Sequence, residues 1–252
     1  IYLSINNKNS HNKITSLNKK ALSESLQKDK FLSIIGHDLM TPINNLIGFT
    51  ELLTESAKKE AYEEIYEYAC IVNKSAIRVS NLLQNLLTWA RFQNGKIKYS
   101  PKAVNIHNLV ENSVAILLPF AMNKQIKLNW NVPKDLIAKV DFNMINSVLQ
   151  NLVTNAIKFT AKNGQVSVVS SIESKTLKFI VSDNGLGMNS NQISNLFNLE
   201  HIASTKGTEN ETGTGLGLII CKDFINLHNG TINVESQPGK GSKFTIKIPL
   251  QE

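Results

Sequence analysis

Two stretches of helical hydrophobic spacing fill the first third of the chain, and a different pattern follows them. From 31 to 54, Phe31, Ile35, Leu39, Ile43, Leu46, Phe49 and Leu53 recur every three or four residues, as on one helix face. From 62 to 93, Ile65, Ala69, Val72, Ala76, Val79, Leu83, Leu86 and Ala90 alternate steps of four and three. That is a heptad seam sustained for more than three heptads. Asn94-Gly95 ends it, with Gly95 predicted as the left-handed cap. A lone helical hairpin cannot bury both stripes well, whereas two copies can, as an antiparallel four-helix bundle. The pattern therefore predicts a homodimer. Residues 4–30 are polar with sparse leucines at Leu17, Leu22 and Leu26, a composition compatible with a loose arm or with a helix from about Ser16.

Beyond residue 96, short strand-like runs alternate with helical ones. The runs predict strands over Gln125–Trp130, Ala138–Val140, Gln165–Ile172, Thr176–Ser182, Gly230–Glu235 and Lys243–Ile248. Helices are predicted over Ile106–Lys124, Asn143–Phe159 and Leu216–Leu227. Ser174-Lys175 and Pro238-Gly239-Lys240-Gly241 are turn signals between paired strands. Strands partly in hairpin order with interspersed helices make this region α+β. The fold class is thus multidomain, an all-α hairpin followed by an α+β layer sandwich. The polar stretch Asn189–Thr212 lacks a period, and a loop of that length in a compact domain is disordered or functional.

Composition narrows the function classes. The net charge is +7, but the lysines are scattered and accompany no recognition motif, which argues against nucleic-acid binding. Cys70 and Cys221 sit in apolar helical patterns without ligand spacing, so the residues point to a reducing compartment rather than a structural zinc. No apolar run is long enough to span a bilayer. The chain opens at Ile1-Tyr2-Leu3 without an initiator methionine, and reads as the cytosolic portion of a longer protein whose membrane segment, if any, precedes Ile1.

Four segments carry candidate chemistry. His37 lies in the run Phe31 to Pro42, roughly opposite the apolar stripe at about 100° per residue. Thr41, one turn on, shares its face, and Pro42 removes a backbone donor and predicts a kink. Asn151 and Asn155 stand four apart on one helical face, with Lys158 a turn further. Carboxamide oxygens suit Mg²⁺, and a lysine suits phosphate. Asp183-Asn184-Gly185-Leu186-Gly187 ends a strand-like run. There the carboxylate could accept a hydrogen bond from the exocyclic amine of adenine while the glycines admit the base. Gly213-x-Gly215-x-Gly217 opens into an apolar helix, where exposed amides and the helix dipole favour anions. It matches neither the dinucleotide fingerprint nor the phosphate loop ending in Gly-Lys-Ser/Thr. Singly these are a surface histidine, a polar helix face and common turns. Their order and spacing make the set specific.

Together the segments resemble the H, N, G1 and G2 boxes of bacterial sensor histidine kinases, and Leu196-Phe197 resembles the F box of their ATP lid. The resemblance covers roughly residues 25–250, and the H-box style with Leu87-Thr88-Trp89-Ala90-Arg91 is similar to Bacteroidetes kinases. It implies a linker over 1–24, a dimerisation and phosphotransfer domain over 25–95, and a GHKL-type ATPase domain over 96–252 with its lid at about 188–212. It also implies His37 as phospho-acceptor, Asp38 as orienting base, and Thr41 in dephosphorylation of the partner. Asn155 and Asn151 would hold Mg²⁺, Lys158 would contact the phosphates, and Lys206 would belong to the ATP site. Asp183 would read adenine with Gly185 and Gly187, and Gly213, Gly215, Gly217 and Leu218 would wrap the nucleotide. ATP, Mg²⁺ and a response-regulator receiver domain are the implied ligands and partner. Met40 stands where the family usually carries a basic residue. Two rival readings share the nucleotide motifs: a GHKL ATPase without histidine transfer, and a scaffold that only binds ATP.

Overall fold

The structure is a computed structural model that describes residues 36, 39–59, 61–198, 205–209, 211, 213 and 215–250. His37, Asp38, the candidate helix from Ser16 and parts of the 188–212 stretch lie outside the described residues. The chain divides into two compact units, Ile1–Leu83 and Gln84–Glu252.

In the first unit, α1 covers 39–58 and runs on through Pro42; α2 (Tyr62–Gln93) begins in this unit, and its last residues from Gln84 onward belong to the second. The turn between them is fixed by amide hydrogen bonds from Lys59 to Glu55 and from Ala61 to Ser56. The buried Ser56 hydroxyl also donates to Glu64 Oε2 at 2.7 Å. Phe49 and Tyr68 meet at a ring separation of 5.7 Å between the helices. Glu63 and Glu64 in the first turn of α2 and Arg91 in its last complement the helix dipole. At its end Gly95 adopts φ 61°, and the Lys96 amide reaches the Arg91 carbonyl at 2.9 Å. This is the glycine cap that the sequence predicts.

The second unit follows the order β1 (Lys102–Asn105), α3 (Ile106–Ala115), α4 (Leu118–Asn123), β2 (Lys127–Asn131), β3 (Ile137–Val140), α5 (Phe142–Phe159), β4 (Gln165–Glu173), β5 (Thr176–Asp183), α6 (Ser190–Asn195), α7 (Gly217–Leu227), β6 (Thr231–Gln237) and β7 (Gly241–Pro249). β2-β4-β5-β7-β6 form a mixed sheet, in which only β2 and β4 pair in parallel. Period-two alternation turns Val166, Val168, Leu177, Phe179, Val181, Phe244, Ile246 and Ile248 inward. The register aligns Val168 with Val181 and Val181 with Phe244, so the inward side chains form rows across the sheet. α5 lies over this face between α3 and α7 and buries Leu149, Leu152 and Val153. The Ser174-Lys175 hairpin has both residues at positive φ, as a two-residue turn requires.

Three elements differ from the sequence reading. The helix predicted over Ile106–Lys124 is two, because Pro119 falls in the first turn of α4 and cannot donate back to the preceding turn. β1 pairs with β3 over only four residues, too short for a period to show. α6 lies inside the stretch read as a loop, nucleated by a capping box in which Asn189 and Gln192 exchange side-chain and backbone bonds.

Candidate active site

α5 begins where Asp141 Oδ1 accepts the Met144 amide at 3.2 Å, and the Asp141 amide donates to His228 Nε2 at 3.0 Å. His228 Nδ1 donates to the Phe224 carbonyl at 2.7 Å, so the imidazole is neutral with its proton on Nδ1. Burial holds its pKa below the usual histidine value. Asp141 Oδ2 accepts the Ser100 amide at 2.9 Å, and the Tyr99 ring stands edge-on to His228 at 4.8 Å. Phe92, near the end of α2, meets Phe224 of α7 at 6.3 Å. The segment leaving α2 is thereby tied to the N-terminus of α5 and the C-terminal half of α7.

The polar face of α5 carries Asn151, Asn155 and Lys158, all half-buried. Asn151 Nδ2 donates to the Ser147 carbonyl at 3.0 Å, which leaves its oxygen directed away from its own helix. Gly217, the first residue of α7, packs against that oxygen so closely that a Cβ would collide with it. Gly213 faces Lys158 Nζ, which donates to the Thr205 carbonyl at 2.7 Å. The third glycine motif therefore lies along the face formed by Asn151 and Lys158.

Asp183 closes β5. Its Oδ1 accepts the amides of Gly185 at 2.9 Å and Ser242 at 3.2 Å. Burial pushes its carboxyl above the usual aspartate range, and the two amide bonds offset that in part. The Leu186 amide reaches the Phe159 carbonyl at 3.1 Å, so the second motif abuts the end of α5. Gly187 has φ 65° and a Cβ there would strike the Gln237 carbonyl, so glycine is required on both counts.

All three nucleotide motifs predicted from sequence thus meet around α5. Leu218 is half-buried in the first turn of α7, Gly215 adopts φ 70°, and Lys206 stands exposed on the segment 205–209. The Phe197 ring receives Lys222 of α7 at 5.8 Å. Thr41 is exposed on α1. The sequence reading missed Ser242, the buried Lys124 and the half-buried Glu211. A backbone amide leaves no sequence signal, and a lysine at the end of an amphipathic run resembles any surface lysine. The site gathers carboxamide oxygens, a lysine and a half-buried carboxylate beside closely packed glycines, a donor set that suits ATP.

Such a unit follows a helical hairpin in the chain, a two-domain arrangement. Residues 27–95 match the His Kinase A phospho-acceptor domain, and residues 140–252 match the histidine kinase-, DNA gyrase B- and HSP90-like ATPase family. The chain is 34% identical over 239 residues to the sensor protein GacS of Pseudomonas syringae pv. syringae, covering 92% of this chain and 26% of that one. It is 32% identical over 240 residues to the sensor protein EvgS of Escherichia coli K12, covering 92% and 20%. It therefore spans about a quarter or less of the length of these curated relatives. The Acinetobacter baumannii histidine kinase AdeS superposes with a TM-score of 0.66 at 21% identity, over 86% of this chain and 98% of that chain. The histidine kinase ThkA in complex with the response regulator protein TrrA gives 0.65 at 22% identity, over 92% and 66%. With both domains matched in order, the chain carries a phospho-acceptor domain and an ATPase domain and is homologous to sensor histidine kinases.

Proposed function

We propose that the chain phosphorylates its own His37 from Mg²⁺-ATP and passes the phosphoryl group to an aspartate of a response regulator. The observation that carries this reading is the convergence of Asn151, Lys158, Asp183 and the Gly213–Gly217 loop on α5, in a chain whose other domain is of the phospho-acceptor family. Asn155, with Asn151, would hold Mg²⁺ through carboxamide oxygens, and the bound cation would offset negative charge on the phosphates. Lys158 and Lys206 would hold phosphate oxygens, and the Gly213, Gly215 and Gly217 amides with Leu218 would wrap the nucleotide. Asp183 would accept the adenine amine through Oδ2, because Oδ1 already serves two amides, while Gly185 and Gly187 admit the base.

A neutral His37 nitrogen would attack the γ-phosphorus in line, forming the N–P bond as the bond to the β-phosphate bridging oxygen breaks. Asp38 would orient the ring and take the proton that the imidazole loses. Thr41 would place water for hydrolysis of the regulator's acyl phosphate. Met40 supplies no cation beside it. We place the phosphotransfer domain at 25–95 and the ATPase domain at 96–252, with a lid at about 188–212. Two copies would pair through the hairpin.

The chain would act on the cytosolic side as part of a longer membrane-anchored receptor, in keeping with its share of the relatives' length. Among the described residues no helix is long and apolar enough to cross a membrane. The H-box style supports a Bacteroidetes origin.

Incubation with γ-labelled ATP and Mg²⁺ tests the reading. Acid-labile, base-stable label is expected on the native chain and is lost in His37→Gln. Label that persists in the variant, or none in either, overturns it.

A further inference from the structure

Lys124 is 4% exposed, although it is a lysine at the end of a short helix. An ammonium has three N–H donors. Here they meet three acceptors: the carbonyls of Ile157 at 3.0 Å and Lys158 at 2.9 Å, and Glu211 Oε1 at 2.5 Å. The two carbonyls end α5, where the helix dipole favours a cation, and the carboxylate supplies the countercharge that a buried ammonium requires.

Glu211, half-buried, makes two further hydrogen bonds. Its Oε2 accepts the Glu209 amide at 2.8 Å, and its carbonyl accepts the Gly207 amide at 2.7 Å. Burial would raise its carboxyl, but the Lys124 bond and nearby amides outweigh this and hold it below the usual glutamate range. The same segment is strapped at further points. The Thr208 amide donates to the Lys158 carbonyl at 3.1 Å, and its hydroxyl to the Thr160 carbonyl at 2.8 Å. Two residues past Glu211 comes Gly213, against Lys158 Nζ.

We infer that Lys124 and Glu211 are a positioning pair, locking residues 205–209 and Glu211 to the end of α5 so that Gly213 and Lys158 are set for the nucleotide. The inference rests on the ATP reading above and adds to it the residues that control how long the nucleotide stays. Neither side chain needs to touch the nucleotide. The pair joins positions 87 apart in sequence, so it forms only when the segment is folded back.

The test uses the full chain and a fluorescent ATP analogue with Mg²⁺, with equilibrium affinity, dissociation rate and labelling of the chain at saturating ATP as readouts. Glu211→Gln keeps the shape and removes the charge, and Lys124→Met removes the other partner. Each is expected to weaken binding about tenfold through faster dissociation, with the saturated rate within about twofold of wild type. The double variant is expected to bind no more weakly than either single one, because the two changes remove one interaction. A thermal melt of Glu211→Gln close to wild type separates this from unfolding. Wild-type binding with an unchanged Glu211→Gln, or losses that add in the double variant, overturns the inference alone. A wild-type chain that does not bind the analogue overturns the ATP reading and this inference with it.

Discussion

In the sandwich, Leu152, Phe179, Ile225 and Ile246 are almost completely shielded within one chain. In the hairpin, Ala69, Ala76 and Leu83 of the α2 seam face outward at heptad spacing, and Met40 and Ile47 do the same on α1. The sheet closes its own core because helices cover its whole inward face. Two helices touch along one stripe each, and any second apolar stripe stays open until another surface covers it. The sandwich buries its own core, whereas the hairpin leaves an apolar seam open. That division suits a chain whose phospho-acceptor domain and ATPase domain are separate.

The largest effect expected to sharpen this contrast is Phe179→Ala. Removal of a fully buried aromatic should cost about 3–5 kcal/mol, lowering the ATPase-unit melting point by roughly 10 °C. The hairpin transition in the same calorimetric scan should stay put, and a joint shift of both would break the contrast. Next comes Ala76→Asp, which puts a charge in the open seam. Light scattering should show a monomer, with dimer affinity down by at least about tenfold and the ATPase transition unmoved. A variant that stays dimeric would remove the seam from the interface.

Asp183→Asn should weaken nucleotide binding by about tenfold without altering the hairpin, measured by titration with the fluorescent analogue. In the role proposed for Asp183, the ionised carboxylate binds adenine, and burial raises its pKa. Wild-type affinity should therefore fall on acidification at a higher pH than an ordinary aspartate would cause.

A smaller effect belongs to His228. Its folded pKa lies below the unfolded value of 6.5, so the unfolded state takes up the proton first. Its stability contribution is complete above about pH 6.5 and is lost as pH falls toward the folded value. The ATPase-unit melting point should decline over that window, and His228→Gln should flatten the decline. Asp183 and Asp223, both raised by burial, act in the opposite sense at lower pH. Smallest of all, Glu55→Ala breaks an exposed pair with Lys59 and should leave both transitions where they were.

Much of this architecture could be read from residue order. The seam of α2 announces Tyr62–Gln93 because a heptad repeat of that length draws one continuous stripe on a helix and scatters over both faces of a strand. Gly95 ends the helix for a local steric reason. Val166, Val168, Phe179 and Val181 announce their strands by alternation. β1 escaped because four residues hold no period, and α6 because its cap precedes a helix with no buried residue. The split between α3 and α4 was signalled by Pro119 but hidden by a continuous apolar run.

For the candidate site, the motif residues were legible because each carries a local geometric demand, such as the positive φ of Gly187 or the shared face of Asn151 and Asn155. Sequence by itself determined these demands and the helical periods, since both depend on neighbours within a turn or two. Only the tertiary structure decided that Ser242 supports Asp183, that His228 is neutral, and that Lys124 is buried beneath Glu211. Those facts depend on desolvation and on partners brought together from 87 residues away for Lys124 and 59 for Asp183, which no local pattern encodes.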